Sequence, residues 1–597
     1  MYTSKKNVQI LIALLKEYGI THFVLSPGTR NVPFVYSVEN DPFFTCYSVV
    51  DERSAAFFAM GLAQELNRPV GISCTSATAT ANYLSAVTEA FYQKVPLLIL
   101  TGDRDPYLLG QMEDQQIKQF GMYADVVKKQ VNLPLVRNDE DFWYCERLVN
   151  EALLELEHRG KGPVHINIPI VSHEKSFSEP CLPTVKAIRR IGLSKNTELC
   201  RRKISELKST KKILVVCGQR WNLNPEEEVY IEEFFSKYNC VIATDHMSNL
   251  NCSGNLKLFL AAETISADKL DELTPDILIS FGGNFIANGF KAKFRSKKVK
   301  HWLVNEDGSI VDVFKNLTDI YECTSSEFFK FFVGNAGEDA KNDMGYYEQW
   351  KQQVSQLIFP EMPFSAYSVI KEFAGRVPDN SILHLSILNS IRICNYFDIP
   401  KNVKTYANLG AHGIDGSMST FLGQSVVSDK LSFLVVGDLS FLYDMNSVRI
   451  KHIKSNVRIL LVNNRGGSEF YINTGKKNSP NLDLHTAAKH DVRVQGWVES
   501  LGFKYLSAES EKEYLSQLDA FFVRESERPV VFEVFTDTQT DADAIHALYK
   551  ANAKSGAELS VKNKLKEGIK DILGESGVKK IRKLMGGGKG GEKYADT

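Results

Sequence analysis

Across 597 residues the chain has no C-x-x-C pair and no cysteine–histidine grouping at zinc spacing, although it carries ten cysteines. Their scatter (positions 46, 74, 145, 181, 200, 217, 240, 252, 323 and 394) excludes a disulfide scaffold and a structural zinc module, and implies reduced, mostly buried thiols. There is no excess charge: 71 Lys+Arg against 72 Asp+Glu give a formal charge of -1. No global basic field therefore draws the protein to nucleic acid or to an anionic membrane. Apolar runs such as 95–100 and 459–462 fall far short of the roughly 20 residues that span a bilayer. Residues 1–20 are partly apolar, but Lys16 and Glu17 interrupt them and no small-residue cleavage site follows. They read as a first amphipathic helix, and a cytoplasmic protein is expected. GGGKGG near the end and INTGKK at 472–477 lack the spacing of a nucleotide-binding P-loop.

What is present is globular. Hydrophobic residues make up 43%, aromatics 11% and charged residues 24%, enough to bury several cores. The length corresponds to about four domains, or three large ones. Ten short apolar runs alternate with helical patterns: THFVLSPG, PVGISCTSA, VPLLILTGD, GPVHINIP, KKILVVCG, CVIATD, DILISFGG, FLVVGD, VRILLVNN and PVVFEVF. Runs of this kind ending in Gly, Asp, Ser or Asn predict parallel sheets covered by helices on both faces, an α/β class. Polar stretches near 172–195 and 334–346 divide the pattern into three α/β blocks.

Two constellations carry chemistry. In the third block Gly437-Asp438-Leu439-Ser440 ends one run and Asn463-Asn464 ends the next. Asp438 and Asn464 are 26 residues apart, the length of a strand, a helix and a second strand. Strand ends on neighbouring parallel strands are where open α/β sheets bind ligands. A carboxylate, an amide oxygen and a backbone carbonyl from the following glycines form a hard oxygen set suited to Mg²⁺ holding a diphosphate. Gly437 permits close approach of a phosphate, and a helix after Ser440 turns its N-terminus towards the anion. In the first block Asp51-Glu52-Arg53 follows CYSVV and opens a helix over 54–66. By itself this reads as acidic residues facing a helix dipole rather than as a site.

Together with SPGTR at 26–30, TSATATAN at 75–82, TGDR at 101–104 and GPVHINIP at 162–169, these features resemble the thiamine diphosphate enzymes of the pyruvate decarboxylase and acetolactate synthase superfamily. Within it, SPGTRNVPF, DERSAAFFAMGLA, TGDRDPYLLG, EDQQIKQFG, GIDGSMST, GDLSFLYDMN and NNRGGSEF are most similar to the menaquinone-pathway synthases that make 2-succinyl-5-enolpyruvyl-6-hydroxy-3-cyclohexene-1-carboxylate. The resemblance implies three doubly wound parallel-sheet domains: pyrimidine-binding (1–175), central (190–335) and diphosphate-binding (350–545). It also implies thiamine diphosphate and Mg²⁺ as cofactors, a small-molecule 2-oxo acid donor and an acceptor, and a homodimer or homotetramer with each cofactor between two subunits. By the same resemblance Glu52 hydrogen-bonds the aminopyrimidine, Ile414 wedges the cofactor into its bent form, and Asp438, Asn464 and the Gly466 carbonyl bind the metal. Pro27, Thr78, Ser390, Gly437, Leu439 and Ser440 complete the cofactor contacts. Gln115 lies near the reacting centre, and Thr29, Arg30, Arg104, Arg392 and Phe470 face substrate; the two first-block arginines are suited to forking onto carboxylates.

The substrate side departs from the family pattern. Cys394 and Leu409 stand at positions where the family carries arginines for the 2-oxoglutarate carboxylates, and Arg392 replaces the first of them easily only if its segment is a strand. His412 replaces a serine and is either a new acid/base group or a packed or solvated ring. Asn288 stands in place of a central-domain lysine with Lys291 a turn away, and Ala77 in place of a glycine. The expected activity is decarboxylation of a 2-oxo acid with transfer of the acyl unit to an acceptor. The alternatives are a relative acting on a different donor, a simple decarboxylase releasing an aldehyde, and a silent binding module. Residues 550–597 form a basic extension, with eleven Lys/Arg against six Asp/Glu over 551–597. It reads either as a surface for a partner or an anionic membrane, or as a solvated segment.

Overall fold

The computed structural model describes residues 1–172, 177–188, 198–309, 311–473 and 481–553. The basic extension from residue 554 onward and most of INTGKK lie outside the described residues. All ten apolar runs are strands, and eight further strands join them to form three six-stranded sheets in which every paired strand is parallel.

The first sheet contains β1 (His22–Leu25), β2 (Thr45–Ser48), β3 (Val70–Cys74), β4 (Leu97–Asp103), β5 (Lys129–Asn132) and β6 (Val164–Pro169), ordered β2-β1-β3-β4-β6-β5. The second contains β7 (Ile213–Cys217), β8 (Cys240–Ala243), β9 (Asn255–Leu256), β10 (Ile277–Phe281), β11 (Lys300–Val304) and β12 (Leu317–Tyr321), ordered β12-β11-β10-β7-β8-β9. The third contains β13 (Ile382–Leu385), β14 (Lys404–Tyr406), β15 (Ser432–Gly437), β16 (Val457–Asn463), β17 (Lys504–Ala508) and β18 (Val530–Phe535), ordered β14-β13-β15-β16-β18-β17. The first and third sheets thus repeat one topology. Strand order reverses between β1 and β3 and between β13 and β15, opening a crevice at the carboxyl ends there.

The second sheet has the strand order of dinucleotide-binding folds, but its crevice is bridged by backbone. Gly218 N–H donates to the Phe281 carbonyl at 2.9 Å, Gln219 N–H to Asn284 at 3.0 Å and Gly283 N–H back to Gln219 at 2.8 Å. A Cβ on Gly218 would stand 1.9 Å from the Gly283 oxygen. The loops that would cradle a pyrophosphate hold each other instead.

The second sheet keeps its own core around Trp302, Phe329 and Trp350. The first and third share one, running from Val24, Phe58 and Ile72 to Phe421, Leu434 and Leu461. Two helices seal that shared core, Glu52–Leu66 and Ser417–Val426. Their crossing is backbone on backbone: a Cβ on Gly61 would come within 2.0 Å of the Thr420 oxygen, and one on Gly423 within 2.0 Å of the Phe58 oxygen. Among the described residues no helix is long and apolar enough to cross a membrane, and no disulfide joins two of the cysteines whose side chains are described.

Candidate active site

The carboxyl ends of the third sheet collect one group of polar side chains. The helix Asp438–Tyr443 begins at Asp438 itself and not after Ser440, so the carboxylate occupies the first turn and faces the helix dipole. Asp438 Oδ1 accepts from Leu439 N–H at 2.6 Å and Oδ2 from Gly466 N–H at 2.9 Å. Ser440 Oγ donates to the Ile414 carbonyl at 2.8 Å, tying the 407–414 loop to the same helix. Asn464 follows β16, the neighbour of β15. Its Nδ2 donates to Asp541 Oδ2 at 2.8 Å, while its Oδ1 is buried and accepts nothing from the chain. Gly466 has φ +149°, and a Cβ there would meet the Ala487 carbonyl at 2.8 Å.

This donor set fits a hard divalent cation with a diphosphate: an anchored carboxylate, a buried amide oxygen without a partner, and backbone at a glycine that admits no side chain. No group of three or more His, Cys, Asp or Glu side chains among the described residues is placed to hold a metal ion, so a metal here depends on amide and carbonyl oxygens. Sequence reasoning missed two members. Asp541, whose carboxyl burial pushes up to about 6, orients Asn464 from 77 residues away. His490 Nε2 lies 3.3 Å from Asp438 Oδ2, and that carboxylate raises the imidazole above its ordinary range. No local pattern marks either, because both act through the third dimension.

The first sheet collects a second group. Asp51 caps the helix Glu52–Leu66 by accepting from Ser54 N–H at 3.1 Å, which leaves Glu52, half-buried, with Asn82 Nδ2 at 3.5 Å. Asp51 and Arg53 reach the third block through Asn446 and the Tyr443 carbonyl. Pro27 and Thr29 are exposed after β1, and Thr78 is exposed at a helix start preceded by Ala77 at φ +70°. Arg30 is buried; its backbone N–H donates to Thr75 Oγ1 and its Nη1 to the Ile170 carbonyl, both at 3.2 Å. Arg104 pairs with Glu113 at 3.1 Å. Burial and the Arg104 cation pull the Arg30 guanidinium below its ordinary range, and the Nε atoms of both arginines are buried without partners. Two adjacent cations with spare donors suit an anion. Gln115 is exposed at φ +50° in the stretch after them.

The substrate-side positions are divided. Residues Asn389–Cys394 form a helix, so Arg392 and Cys394 lie about 200° apart around it. Arg392 forks onto Glu469 at 2.6 and 3.0 Å, while Cys394 and Leu409 are both fully buried in one apolar core. Ser390 is buried, and Phe470 is exposed beside Glu469. His412 is exposed at φ +59°; partial desolvation and the nearby Lys291 cation lower it, while donation to the Leu409 carbonyl opposes this. Lys291 Nζ donates to the Phe285 carbonyl at 2.8 Å, and burial pulls it down to about 8.

Residues 5–122 match the family described as thiamine pyrophosphate enzyme, N-terminal TPP binding domain. Over nearly its whole length the chain is similar to 2-succinyl-5-enolpyruvyl-6-hydroxy-3-cyclohexene-1-carboxylate synthases. It is 38% identical to that of Bacteroides fragilis over 558 residues, covering 92% of this chain and 99% of the relative. The Flavobacterium psychrophilum protein is 31% identical, covering 91% and 98%; the Porphyromonas gingivalis protein is 30% identical, covering 92% and 97%.

Proposed function

The chain belongs to the 2-succinyl-5-enolpyruvyl-6-hydroxy-3-cyclohexene-1-carboxylate synthase family of thiamine diphosphate enzymes, and on that premise we propose that it decarboxylates 2-oxoglutarate and joins the succinyl unit to isochorismate. The observation that carries this reading is the buried, unpartnered Asn464 Oδ1 beside the anchored Asp438 carboxylate, at the carboxyl ends of neighbouring strands. Asp438, Asn464 and the Gly466 carbonyl would hold Mg²⁺, with Gly437 leaving open space for the diphosphate. Bound thiamine diphosphate supplies a nucleophilic carbon and an electron sink for loss of CO₂.

The chain's own residues supply the rest. Glu52 holds a carboxylate at the start of a helix braced on the third block, where it would share a proton with the pyrimidine ring. Arg30 and Arg104 would bind a substrate carboxylate through their spare donors. Arg392 is already neutralised by Glu469, so its part is to fix the helix that presents Ser390. Burial of Cys394 and Leu409 favours a second reading, a donor with fewer or differently placed carboxylates.

We also infer a homo-oligomer working in the cytoplasm, with a second copy covering the exposed Tyr107, Leu108, Leu109 and Met112 next to Arg104. The test is CO₂ release from 2-oxoglutarate, pyruvate, phosphonopyruvate and branched 2-oxo acids, each with and without isochorismate, in thiamine diphosphate and Mg²⁺. Release from 2-oxoglutarate that rises with isochorismate supports the synthase; release from another acid alone supports the second reading.

A further inference from the structure

The loop from Ala407 to Ile414 is held from both other blocks. Gln219 Nε2 donates to the Ala407 carbonyl at 2.6 Å and Asn284 Nδ2 to the Leu409 carbonyl at 2.8 Å, both from the second block. From the first block comes a carboxylate. Glu89, 2% exposed, accepts Gly410 N–H on Oε1 at 2.8 Å and Ala411 N–H on Oε2 at 2.6 Å. Gly410 permits this approach, because a Cβ there would stand 2.7 Å from the Glu89 carbonyl oxygen and 3.1 Å from Tyr92 Cβ.

Glu89 is itself held by a line of buried amides that all point the same way. Gln93 Nε2 donates to Glu89 Oε1, Gln64 Nε2 to Gln93 Oε1 at 2.9 Å, and Gln424 Nε2 to Gln64 Oε1 at 2.8 Å. His384 Nδ1 stands 3.0 Å from Gln424 Oε1, which can only accept, so the ring donates there. Each amide accepts on one side and donates on the other, and the line ends on a group able to accept at both oxygens. It crosses from the third sheet through the helix pair of the shared core to the helix Leu84–Tyr92 of the first block and back to the 407–414 loop. Its three glutamines and its histidine are buried. Every donor reaching Glu89 is an N–H, so the geometry is that of a carboxylate. Side chains this deep are retained at a desolvation cost that simple packing would avoid.

We propose that Glu89 is a positioning residue: it clamps two successive amides of the loop that carries Ile414, and the Gln93–Gln64–Gln424–His384 line fixes its carboxylate. The clamp sets where Ile414 and His412 stand relative to the Asp438 helix, to which Ser440 pins the loop's far end. The inference rests on the reading of Ile414 as a cofactor contact.

The test uses Glu89→Gln and Gln424→Leu in the full-length protein. Glu89→Gln turns one acceptor into a donor facing an N–H, a loss that at a charged hydrogen bond amounts to about tenfold or more in an equilibrium. Hydrogen exchange at the Gly410 and Ala411 amides should quicken about tenfold or more in Glu89→Gln, and by less in Gln424→Leu, with amides of β15 unchanged. The dissociation constant for thiamine diphosphate with Mg²⁺ should rise about tenfold in the same order. Unchanged exchange at those two amides, exchange raised equally across the third sheet, or a loosened loop with unaltered cofactor affinity would each overturn the proposal. Failure of the wild-type protein to release CO₂ from 2-oxoglutarate would instead count against the synthase reading and leave the amide readout standing.

Discussion

Glu52 and Asp438 are both carboxylates at the start of a helix, and their surroundings give them different work. Asp51 takes over the capping of the first helix, so Glu52 is left without a structural duty. Glu52→Gln should therefore keep the fold and thiamine diphosphate binding yet lower turnover by orders of magnitude; near-wild-type rates would sink its assignment as the pyrimidine partner. Asp438 is fixed by two backbone N–H groups, which orients it for a cation. Asp438→Ala should abolish Mg²⁺-dependent cofactor binding in a calorimetric titration, and unchanged affinity would remove the proposed metal site. The spacing of Asp438 and Asn464 is legible in the sequence because a strand, a helix and a strand have a typical length. Asp541, His490 and Glu89 are not, since each meets its partner across dozens to hundreds of residues. The helix over Asn389–Cys394 is likewise a matter of tertiary packing, and it turns Arg392 towards Glu469.

At the scale of elements, most buried central strands announce themselves as apolar runs, and the edge strands do not. Lys129–Asn132 and Lys504–Ala508 are half-polar, because one side of an edge strand meets solvent. Ile382–Leu385 is central but interrupted by His384, whose partner Gln424 is 40 residues away. The crossing of Glu52–Leu66 with Ser417–Val426 was present in the sequence only as two glycines. Gly61→Ala would push a methyl into the Thr420 carbonyl, and the repacking should cost of order 3 kcal/mol. Thermal unfolding should show a clearly lowered transition for Gly61→Ala and for Gly423→Ala. Wild-type stability in both would mean the helices can part without loss.

At the scale of the molecule, each sheet buries one histidine in a strand: His165 in β6, His301 in β11 and His384 in β13. Burial pushes them down to about 3, about 4 and about 4, against 6.5 for a free ring, and only for His301 does a carboxylate, Asp312, oppose it. The folded rings stay neutral while the unfolded chain takes up protons below about pH 6.5. The contribution of each ring to stability should therefore fall as pH drops from 6.5 towards 4, by up to about 1.4 kcal/mol per pH unit, against the opposite slope from the buried carboxyls of Asp245, Asp444 and Asp541, which burial raises to about 6, about 7 and about 6. Urea unfolding of the wild type and of His384→Gln across that range checks this: the stability advantage of the wild type should shrink as pH falls, and a pH-independent difference would contradict it. The three-sheet plan was legible because parallel α/β units repeat, whereas the shared topology of the first and third sheets, and the core between them, emerge only from pairing. That shared core ties together the two polar groups to which a carbon–carbon ligation is assigned. The most direct test is the ratio of CO₂ released to succinyl adduct formed when the wild-type protein meets 2-oxoglutarate, isochorismate, thiamine diphosphate and Mg²⁺, with the product weighed by mass spectrometry. A ratio of about one to one is predicted; CO₂ accompanied only by the free aldehyde, or no CO₂ at all, would contradict it.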